Sequence, residues 1–330
     1  MTKTKPRYMN VFFMLVQIFL IFAIAFFYYL SQPFKTQSVV FVPQGSLSKI
    51  IANFNNKNLQ MSKIDEITLR LLGSVQAGWI DVGGKDFKGS LTRGDFLKKL
   101  TTAKAALISL TLIPGETTAI FLKQATKDLN LDENKLFNEY ERQALYPEGM
   151  LLPETYKLPK GISESYLISL LLEHAQNTFK QLSMKIFGTY NEKKWYEIII
   201  AASVVQKEAA NNDEMQVVAS VIYNRLRKSM KLQMDGTLNY GLYSHTKITP
   251  ERIRNDESPY NTYKFAGLPK NAVCNVSLAA IQAVIKEKRY IETYNKGSSD
   301  YLYFMRDKKT GLHIFTTNIN DHNKAVAAQR

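Results

Sequence analysis

The segment 195–210, WYEIIIAASVVQKEAA, carries the strongest candidate for chemistry, a glutamate at the end of an apolar run. The run predicts a helix buried in the centre of a domain. On a helical wheel Glu208 falls on the same side as Val204 and Val205. Burial favours the neutral carboxyl, and the raised pKa suits a general acid near neutral pH. The alternative is a glutamate at a frayed helix end, paired with Lys207 or a distant arginine.

A second group of polar residues follows the next helix, which is expected over 213–230. In the segment 230–241, MKLQMDGTLNYG, the residues Gln233, Asp235, Thr237 and Asn239 alternate with apolar ones. This period of two predicts one short strand with a polar face. Such a face beside a buried glutamate would suit a sugar, which needs many directed hydrogen bonds. An exposed hairpin is the alternative.

Two further segments carry candidate groups. The loop 259–263, PYNTY, supplies aromatic faces and hydrogen-bonding groups, a mixture typical of carbohydrate clefts, although an ordinary turn has the same composition. His313 and His322 near the C-terminus lack a third ligand at a useful spacing, so no metal site is predicted. The sequence contains no G-x-S-x-G, H-E-x-x-H or phosphate-binding glycine motif.

Six stretches in order resemble the MltG (YceG-like) family of endolytic murein transglycosylases, which are enzymes of the bacterial inner membrane. The resemblance extends along nearly the whole chain. The stretches are PEGMLLPETY (147–156), ASVVQKEAA (202–210), VASVIYNRLRKSMKLQMDGTLNYG (218–241), PYNTYKFAGLP (259–269), DYLYFM (300–305) and GLHIFTTNINDHNKA (311–325).

The resemblance implies that Glu208 is the essential glutamate, because it ends the family's S-x-x-x-K-E pattern after Ser203 and Lys207. A second glutamate that the family often has two residues earlier is Gln206 here, which favours Glu208 further. Two other departures affect local loop shape: the family's D-P-T is DGT at 235–237, and its N-P-G is NVS at 275–277.

The reaction that the resemblance implies needs one carboxyl group. The glutamate protonates the glycosidic oxygen, and the resulting base helps the C6 hydroxyl of muramic acid attack C1, giving a 1,6-anhydro ring without water. Hydrolytic glycosidases usually need two carboxylates. Asp235 is the best second carboxylate, so a hydrolytic muramidase stays an alternative, as does a non-catalytic membrane-anchored peptidoglycan-binding scaffold.

The complete prediction for the site is one catalytic residue, Glu208, with no metal and no cofactor. Peptidoglycan glycan strands and the inner membrane are the expected partners, peptidoglycan synthases are further candidates, and nucleic acid is not expected. The residues expected to line the cleft are Gln233, Asp235, Tyr260, Asn261, Thr262, His313 and Asn318.

The N-terminus predicts a membrane anchor. Val11–Leu30 contains no charge and, as a helix, is long enough to span a bilayer core. Basic residues before it favour a cytoplasmic N-terminus and a periplasmic catalytic domain. A cleaved signal peptide is the alternative, because Ala23 and Ala25 form an A-x-A pattern. Against cleavage, Phe26 and the residues after it continue the apolar run.

The remaining chain predicts an α+β fold. A strand at Val39–Val42, two helices and a strand near 78–82 resemble a small LysM-like module, with glycan binding and a plain spacer as its alternative roles. The second helix, near 64–72, carries Ile64, Ile67 and Leu71 on one stripe widened by Leu72. The expected parts are a cytoplasmic tail (1–8), a transmembrane helix (9–31), the LysM-like module (36–110) and a mixed α/β YceG-like catalytic domain (111–330).

Composition agrees with an exported enzyme. The chain has 330 residues, of which 45% are hydrophobic and 22% charged, and this excludes disorder along most of its length. A formal net charge of +14 suits an anionic envelope surface or polymer as well as a merely solubilising role. The one cysteine, Cys274, excludes a disulfide framework.

Overall fold

The computed structural model describes residues 7–83, 87–105 and 107–329. Most of the predicted cytoplasmic tail therefore lies outside the described residues. The helices are α1 (Arg7–Ser31), α2 (Leu47–Asn56), α3 (Lys63–Leu72), α4 (Arg93–Thr102), α5 (Thr118–Leu129), α6 (Glu133–Gln143), α7 (Glu164–Phe187), α8 (Glu192–Glu208), α9 (Met215–Arg227), α10 (Pro250–Asn255), α11 (Leu278–Tyr294) and α12 (Ile319–Ala327). The strands are β1 (Pro33–Lys35), β2 (Val39–Val42), β3 (Gly78–Asp81), β4 (Ser90–Thr92), β5 (Leu107–Thr111), β6 (Thr155–Pro159), β7 (Tyr303–Arg306) and β8 (His313–Thr316).

The strands form small sheets among many helices, so the predicted α+β class is confirmed. β1 pairs with β4, β2 with β3, β5 with β6, and β7 with β8. The pairs β1–β4, β2–β3 and β7–β8 are antiparallel. The register of β2 and β3 sets Val40 opposite Ile80. The chain divides into two compact units, one of residues up to 108 with 157–163, the other of 109–156 with 164–330.

In the first unit, α1 is the apolar helix that the sequence predicts. Val11–Ser31 has a mean hydropathy of 2.6 over its most apolar window and is long enough to cross a membrane. Its side chains from Val11 onward are largely exposed. Such a helix on a chain whose other apolar residues form a core is consistent with a membrane anchor.

The rest of the first unit packs around the sheet of β2 and β3. Ser46 caps α2 by accepting a hydrogen bond from the backbone N–H of Lys49. The core includes Ile50, Phe54 and Phe96. The order β2, α2, α3, β3 agrees with the predicted strand, helix, helix and strand.

Helix α3 lies where the sequence predicts it, but it is rotated relative to its apolar pattern. Its buried residues are Asp65, Thr68 and Leu69. Asp65 accepts hydrogen bonds from the backbone N–H of Ser62 (2.7 Å) and from Arg93 (2.6 Å). These bonds hold the face of α3 that carries Asp65 toward the interior. The apolar stripe of the sequence therefore points outward, with Ile64, Ile67, Leu71 and Leu72 exposed.

The second unit is built around α8, which packs against α9 and α11. Asn191 caps α8 by accepting from the backbone N–H of Lys194 (3.0 Å). The apolar residues of α8 are buried along its length, as the sequence predicts. The strand β6 follows the PEGMLLPETY stretch and begins at its last two residues, Thr155 and Tyr156.

The prediction of a short strand over 230–241 is wrong. A 3₁₀ turn, Asp235–Leu238, and a second, Gly241–Tyr243, occupy this region. Leu232, Met234 and Leu238 are buried, as the pattern indicates, but Thr237 on the expected polar face is fully buried too. The backbone is not extended, because Gln233 adopts a left-handed conformation with φ of 50°.

Candidate active site

The candidate site is built at the C-terminal end of α8, where the buried helix emerges at Glu208. Ala209, the next residue, has extended backbone angles and ends the helix. The Glu208 side chain is partly exposed and lines two adjoining cavities of about 240 and 510 Å³. The buried helix therefore fixes the backbone of Glu208, and the carboxyl oxygens of its side chain face the two cavities.

Gly236 makes the closest described contact with the Glu208 carboxyl group. Its backbone N–H donates to Oε1 of Glu208 over 2.8 Å. A Cβ atom at position 236 would lie 2.6 Å from Cβ of Lys207 and 2.8 Å from Oε1 of Glu208. Only glycine lets the backbone approach this closely.

Burial raises the pKa of Glu208 to about 7. The N–H of Gly236 and the positive charge of Arg225 oppose this shift, and the negative charge of Asp235 adds to it. Near neutral pH the carboxyl group is therefore divided between its protonated and ionised forms. A group in this state can donate a proton and later accept one.

Arg225 links the chain segments around the smaller cavity by hydrogen bonds. Its guanidinium donates to the carbonyl oxygens of Lys231 (3.2 Å), Leu232 (2.7 Å) and Leu302 (2.6 Å). It also lies 5.1 Å from the ring centroid of Tyr303. Arg225 therefore joins the segment after α9 to the segment before β7 and sets a buried positive charge near Glu208.

His313 and Asp235 face the same cavities, and each is held by a neighbour. Nδ1 of His313 lies 2.7 Å from Oε2 of Glu214, whose Oε1 accepts the backbone N–H of His313 over 2.7 Å. Burial raises the pKa of Glu214, but these bonds from His313 outweigh it and lower the pKa overall. Glu214 is therefore a carboxylate that accepts from His313. Tyr263 donates its hydroxyl to Oδ1 of Asp235 over 2.7 Å.

The structure brings Glu208 together with Gln233, Asp235 and His313, which line the smaller cavity. Sequence reasoning did not single out Arg225, Glu214, Tyr263 or Arg306. Arg225 continues the buried stripe of α9 by one turn, and that position is the signal that could have identified it. The residues beside Glu208 in one or both cavities include Arg225, Gln233, Asp235, Tyr263, Arg306 and His313.

The other predicted cleft residues lie elsewhere. Asn261 is fully buried, and its Nδ2 donates to the carbonyl oxygens of Ile253 and Asp256, both at 2.8 Å. Thr262 is also buried, and its hydroxyl accepts the backbone N–H of Met234 over 3.0 Å. These two side chains hold the loop and do not face the Glu208 cavities.

Tyr260 and Asn318 are also outside those cavities. Tyr260 stacks on Tyr240 with ring centroids 4.3 Å apart, and it lines a separate cavity of about 440 Å³. Asn318 caps α12: its Oδ1 accepts the backbone N–H of Asp321 over 2.9 Å. The cap gives Asn318 a structural task at the surface.

Glu148, in the PEGMLLPETY stretch, is a buried glutamate whose pKa is raised like that of Glu208. Burial raises its pKa to about 7, and hydrogen bonds from Thr118 and Gly149 oppose the shift. Both carboxyl oxygens lie 3.0 Å from the backbone nitrogen of Thr118, and Oε1 also accepts the Thr118 hydroxyl over 2.6 Å. Glu148 thus holds the first turn of α5.

A family model described as YceG-like matches residues 40–328. This chain belongs to the YceG-like family. A crystal structure of a yceG-like protein from Listeria monocytogenes superposes with a TM-score of 0.55 at 24% identity, covering 88% of this chain and 99% of that one. This likeness supports the YceG-like fold.

Two relatives carry the name endolytic murein transglycosylase. The Bacillus subtilis (strain 168) protein is 27% identical in an alignment of length 320 that covers 88% of this YceG-like chain and 84% of the relative. The Streptococcus pneumoniae (strain D39) protein is 31% identical over 251 residues, covering 73% of this chain. This chain spans 40% of the length of the pneumococcal relative.

Proposed function

We propose that this YceG-like protein is an endolytic lytic transglycosylase that cuts peptidoglycan glycan strands internally. The observation that carries the proposal is Glu208, a carboxyl group of pKa about 7 that opens on a polar cavity at the end of a buried helix. The names of the Bacillus and Streptococcus relatives support the same activity.

The proposed reaction begins with Glu208 in its protonated form. The carboxyl proton passes to the glycosidic oxygen between N-acetylmuramic acid and N-acetylglucosamine as the bond to C1 breaks. The Glu208 carboxylate then accepts the proton of the muramic acid C6 hydroxyl, whose oxygen bonds to C1. The product is a 1,6-anhydro end, and Glu208 returns to its protonated form.

The surrounding groups fit this sequence of proton transfers. The N–H of Gly236 and the charge of Arg225 stabilise the Glu208 carboxylate that forms after the first transfer. Gln233, Asp235 and His313 offer hydrogen-bonding groups for sugar hydroxyls and amides at the cavity wall. With Nδ1 engaged by Glu214, Nε2 is the other hydrogen-bonding atom of the His313 ring.

Product analysis tests the proposal. The full-length protein is incubated with peptidoglycan in water enriched in ¹⁸O, and the ends are identified by mass spectrometry. We expect internal cuts with anhydro ends that carry no ¹⁸O. Labelled reducing ends would instead show a hydrolytic muramidase, with Asp235 as the second carboxylate. Binding without cleavage would show a scaffold. Glu133→Gln, an exposed site on α6, is the matched control for Glu208→Gln.

For topology, we propose a cytoplasmic tail (1–8), a spanning helix (9–31) in the inner membrane and an extracytoplasmic remainder. A LysM-like module (36–110) and the catalytic domain (111–330) form that remainder. The length and hydropathy of α1 support the anchor, and the antiparallel pairing of β2 and β3 around α2 and α3 supports the module. Cuts close to the membrane would end elongation of nascent strands beside their synthases.

Membrane extraction and protease accessibility test this topology. The protein is expected to stay with membranes under alkaline carbonate wash. A protease admitted only to the outer side should digest nearly everything after Ser31. A soluble mature form beginning near Phe26 would contradict the anchor and favour signal cleavage.

A further inference from the structure

We infer that α3 lies flat in the interface of the membrane that α1 spans, with its exposed apolar stripe inserted at the boundary of headgroups and acyl chains. The α3 stripe is Ile64, Ile67, Leu71 and Leu72. The inference rests on the proposed anchoring of α1 and goes beyond it, because it gives the neighbouring module its own lipid-binding surface.

The first observation is the exposure of the α3 stripe. Leu71 is 78% exposed and Ile67 is 57% exposed, although the opposite face of the same helix is buried. Ile64, Ile67 and Leu71 follow one another at helical spacing, so they form one continuous surface. Contiguous apolar surface of this kind marks a binding face more often than it marks a free protein surface.

The second observation is the connection between α3 and the outer end of α1. The hydroxyl of Tyr29 lies 2.7 Å from Oγ of Ser62, the cap of α3, and donates to Oδ2 of Asp65 over 3.0 Å. Arg93 pairs with the same oxygen of Asp65 over 2.6 Å. The guanidinium of Arg93 also lies 4.8 Å from the Tyr29 ring centroid.

These bonds fix the depth at which α3 begins. A helix of twenty residues rises about 30 Å, the thickness of the hydrocarbon core. If Val11–Leu30 spans that core, Tyr29 lies at its outer boundary, where tyrosine is favoured. The first turn of α3, with Ile64 in it, then lies at the same level.

The length and basic residues of α3 fit a helix lying in the interface. Ile64 and Leu71 are about 10 Å apart along the axis, more than the roughly 5–7 Å depth of the headgroup region on one side. A flat orientation therefore brings Ile64, Ile67 and Leu71, which share one face, to the lipid together. Lys63 and Arg70 are exposed on the same helix, where Arg70 also pairs with Glu66 over 2.7 Å. Basic residues beside an apolar face are typical of interfacial helices.

Depth-dependent quenching in lipid vesicles tests the inference on the full chain. Cys274 is buried and is replaced in the background variant Cys274→Ala. Single cysteines are introduced as Ile67→Cys, Leu71→Cys, Phe19→Cys in α1 and Lys98→Cys on an exposed position of α4. Each variant carries a polarity-sensitive fluorophore and is reconstituted into phosphatidylcholine–phosphatidylglycerol vesicles with nitroxide-labelled lipids.

We expect fluorescence loss at positions 67 and 71 with shallow nitroxides, loss at position 19 with deep nitroxides, and none at position 98. Loss at position 19 with positions 67 and 71 behaving like position 98 would overturn the inference and leave the anchor standing. Absence of loss at position 19 would overturn the anchor and the inference with it. Shielding of 67 and 71 from aqueous iodide without quenching by lipid would show a protein partner and would also overturn it.

Discussion

Desolvation raises the pKa of both Glu208 and Glu148 to about 7, yet the surroundings of the two carboxyl groups differ. The Glu148 carboxyl group is occupied by the backbone and hydroxyl of Thr118 and by the N–H of Gly149. The Glu208 carboxyl group accepts the N–H of Gly236 and opens on two cavities.

This difference teaches that a raised pKa alone does not identify a catalytic acid. A carboxyl group whose oxygens are taken up by the protein cannot reach a glycosidic oxygen, whatever its protonation state. Free hydrogen-bonding capacity and an open cavity distinguish Glu208. Glu208 and Glu148 should therefore differ in their effects on product formation, pH dependence and stability.

The largest effect is expected for Glu208→Gln. The amide keeps the shape of the side chain but has no transferable proton, and general acid–base catalysis contributes roughly 100- to 10,000-fold. We expect loss of anhydro-product formation by about that factor, measured as turnover of purified peptidoglycan. Glu148→Gln should form anhydro ends still, because Glu148 holds α5 and transfers no proton. Near-normal turnover of Glu208→Gln would remove Glu208 from the catalytic role.

The pH dependence of cleavage gives the second prediction. The first step needs protonated Glu208, and its pKa is about 7. The value of kcat/KM should therefore fall above pH 7 with a slope that approaches tenfold per pH unit, or roughly 50-fold between pH 7 and 9. Initial rates over pH 5–10 measure this limb. The same limb should persist in Glu148→Gln; its disappearance there would assign the titration to Glu148.

Gly236→Ala tests the geometry at Glu208. The added Cβ would meet Oε1 of Glu208 at 2.8 Å and Cβ of Lys207 at 2.6 Å, so the carboxyl group must shift. Small misplacements of catalytic groups cost up to about 100-fold, so we expect a loss of roughly 10- to 100-fold in kcat. Gly94→Ala in α4 is the matched control, because the backbone there is not left-handed and an added Cβ comes no closer than 3.4 Å to any atom. Equal kcat in both variants would contradict the close approach.

The smallest effect concerns stability. Each glutamate has its folded pKa raised from 4.5 to about 7, so folding is favoured by protonation. This contribution is full below pH 4.5 and is lost as pH rises through 7, by at most about 3 kcal/mol per residue. Glu208→Gln should therefore be more stable than the unmodified protein at pH 8 and not at pH 4.5, as measured by urea unfolding.

Glu148→Gln should show no such gain at pH 8. Its amide nitrogen would face the N–H of Thr118, and an unmet buried donor costs about 1–3 kcal/mol. A gain equal to that of Glu208→Gln would show that the bonds to Thr118 contribute little. The comparison of the two residues would then rest on access to the cavity alone.

Local patterns predicted the helices and the position of Glu208 well, because burial follows helical spacing. They failed where long-range contacts decide the outcome. The alternation around Gln233 reports the burial of Leu232 and Met234 but not that of Thr237. The threonine hydroxyls at 237 and 262 bond Met234, and the backbone turns instead of extending. Asn261 is a residue type that suits sugar binding. Only the fold shows that its side-chain amide makes its hydrogen bonds within the loop.

Two further residues show why partners distant in sequence cannot be predicted from spacing. Arg225 bonds Leu302, and Glu214 bonds His313, and both contacts cross more than seventy positions of the chain. The outward stripe of α3 has a similar origin, since Asp65 is drawn inward by Arg93. Each of these contacts depends on a fold that one short segment cannot specify.

The bonds between Tyr29 and the start of α3 have a consequence for how the protein samples its surroundings. If a flexible linker joined α1 to the rest of the first unit, that part could move through a large volume, and its effective concentration near the membrane would be lower. With Tyr29 fastened to Ser62 and Asp65, the module cannot swivel freely about the end of α1. Under the proposed anchoring of α1, its search would be confined to a thin layer over the bilayer, and newly made strands would be met before mature wall.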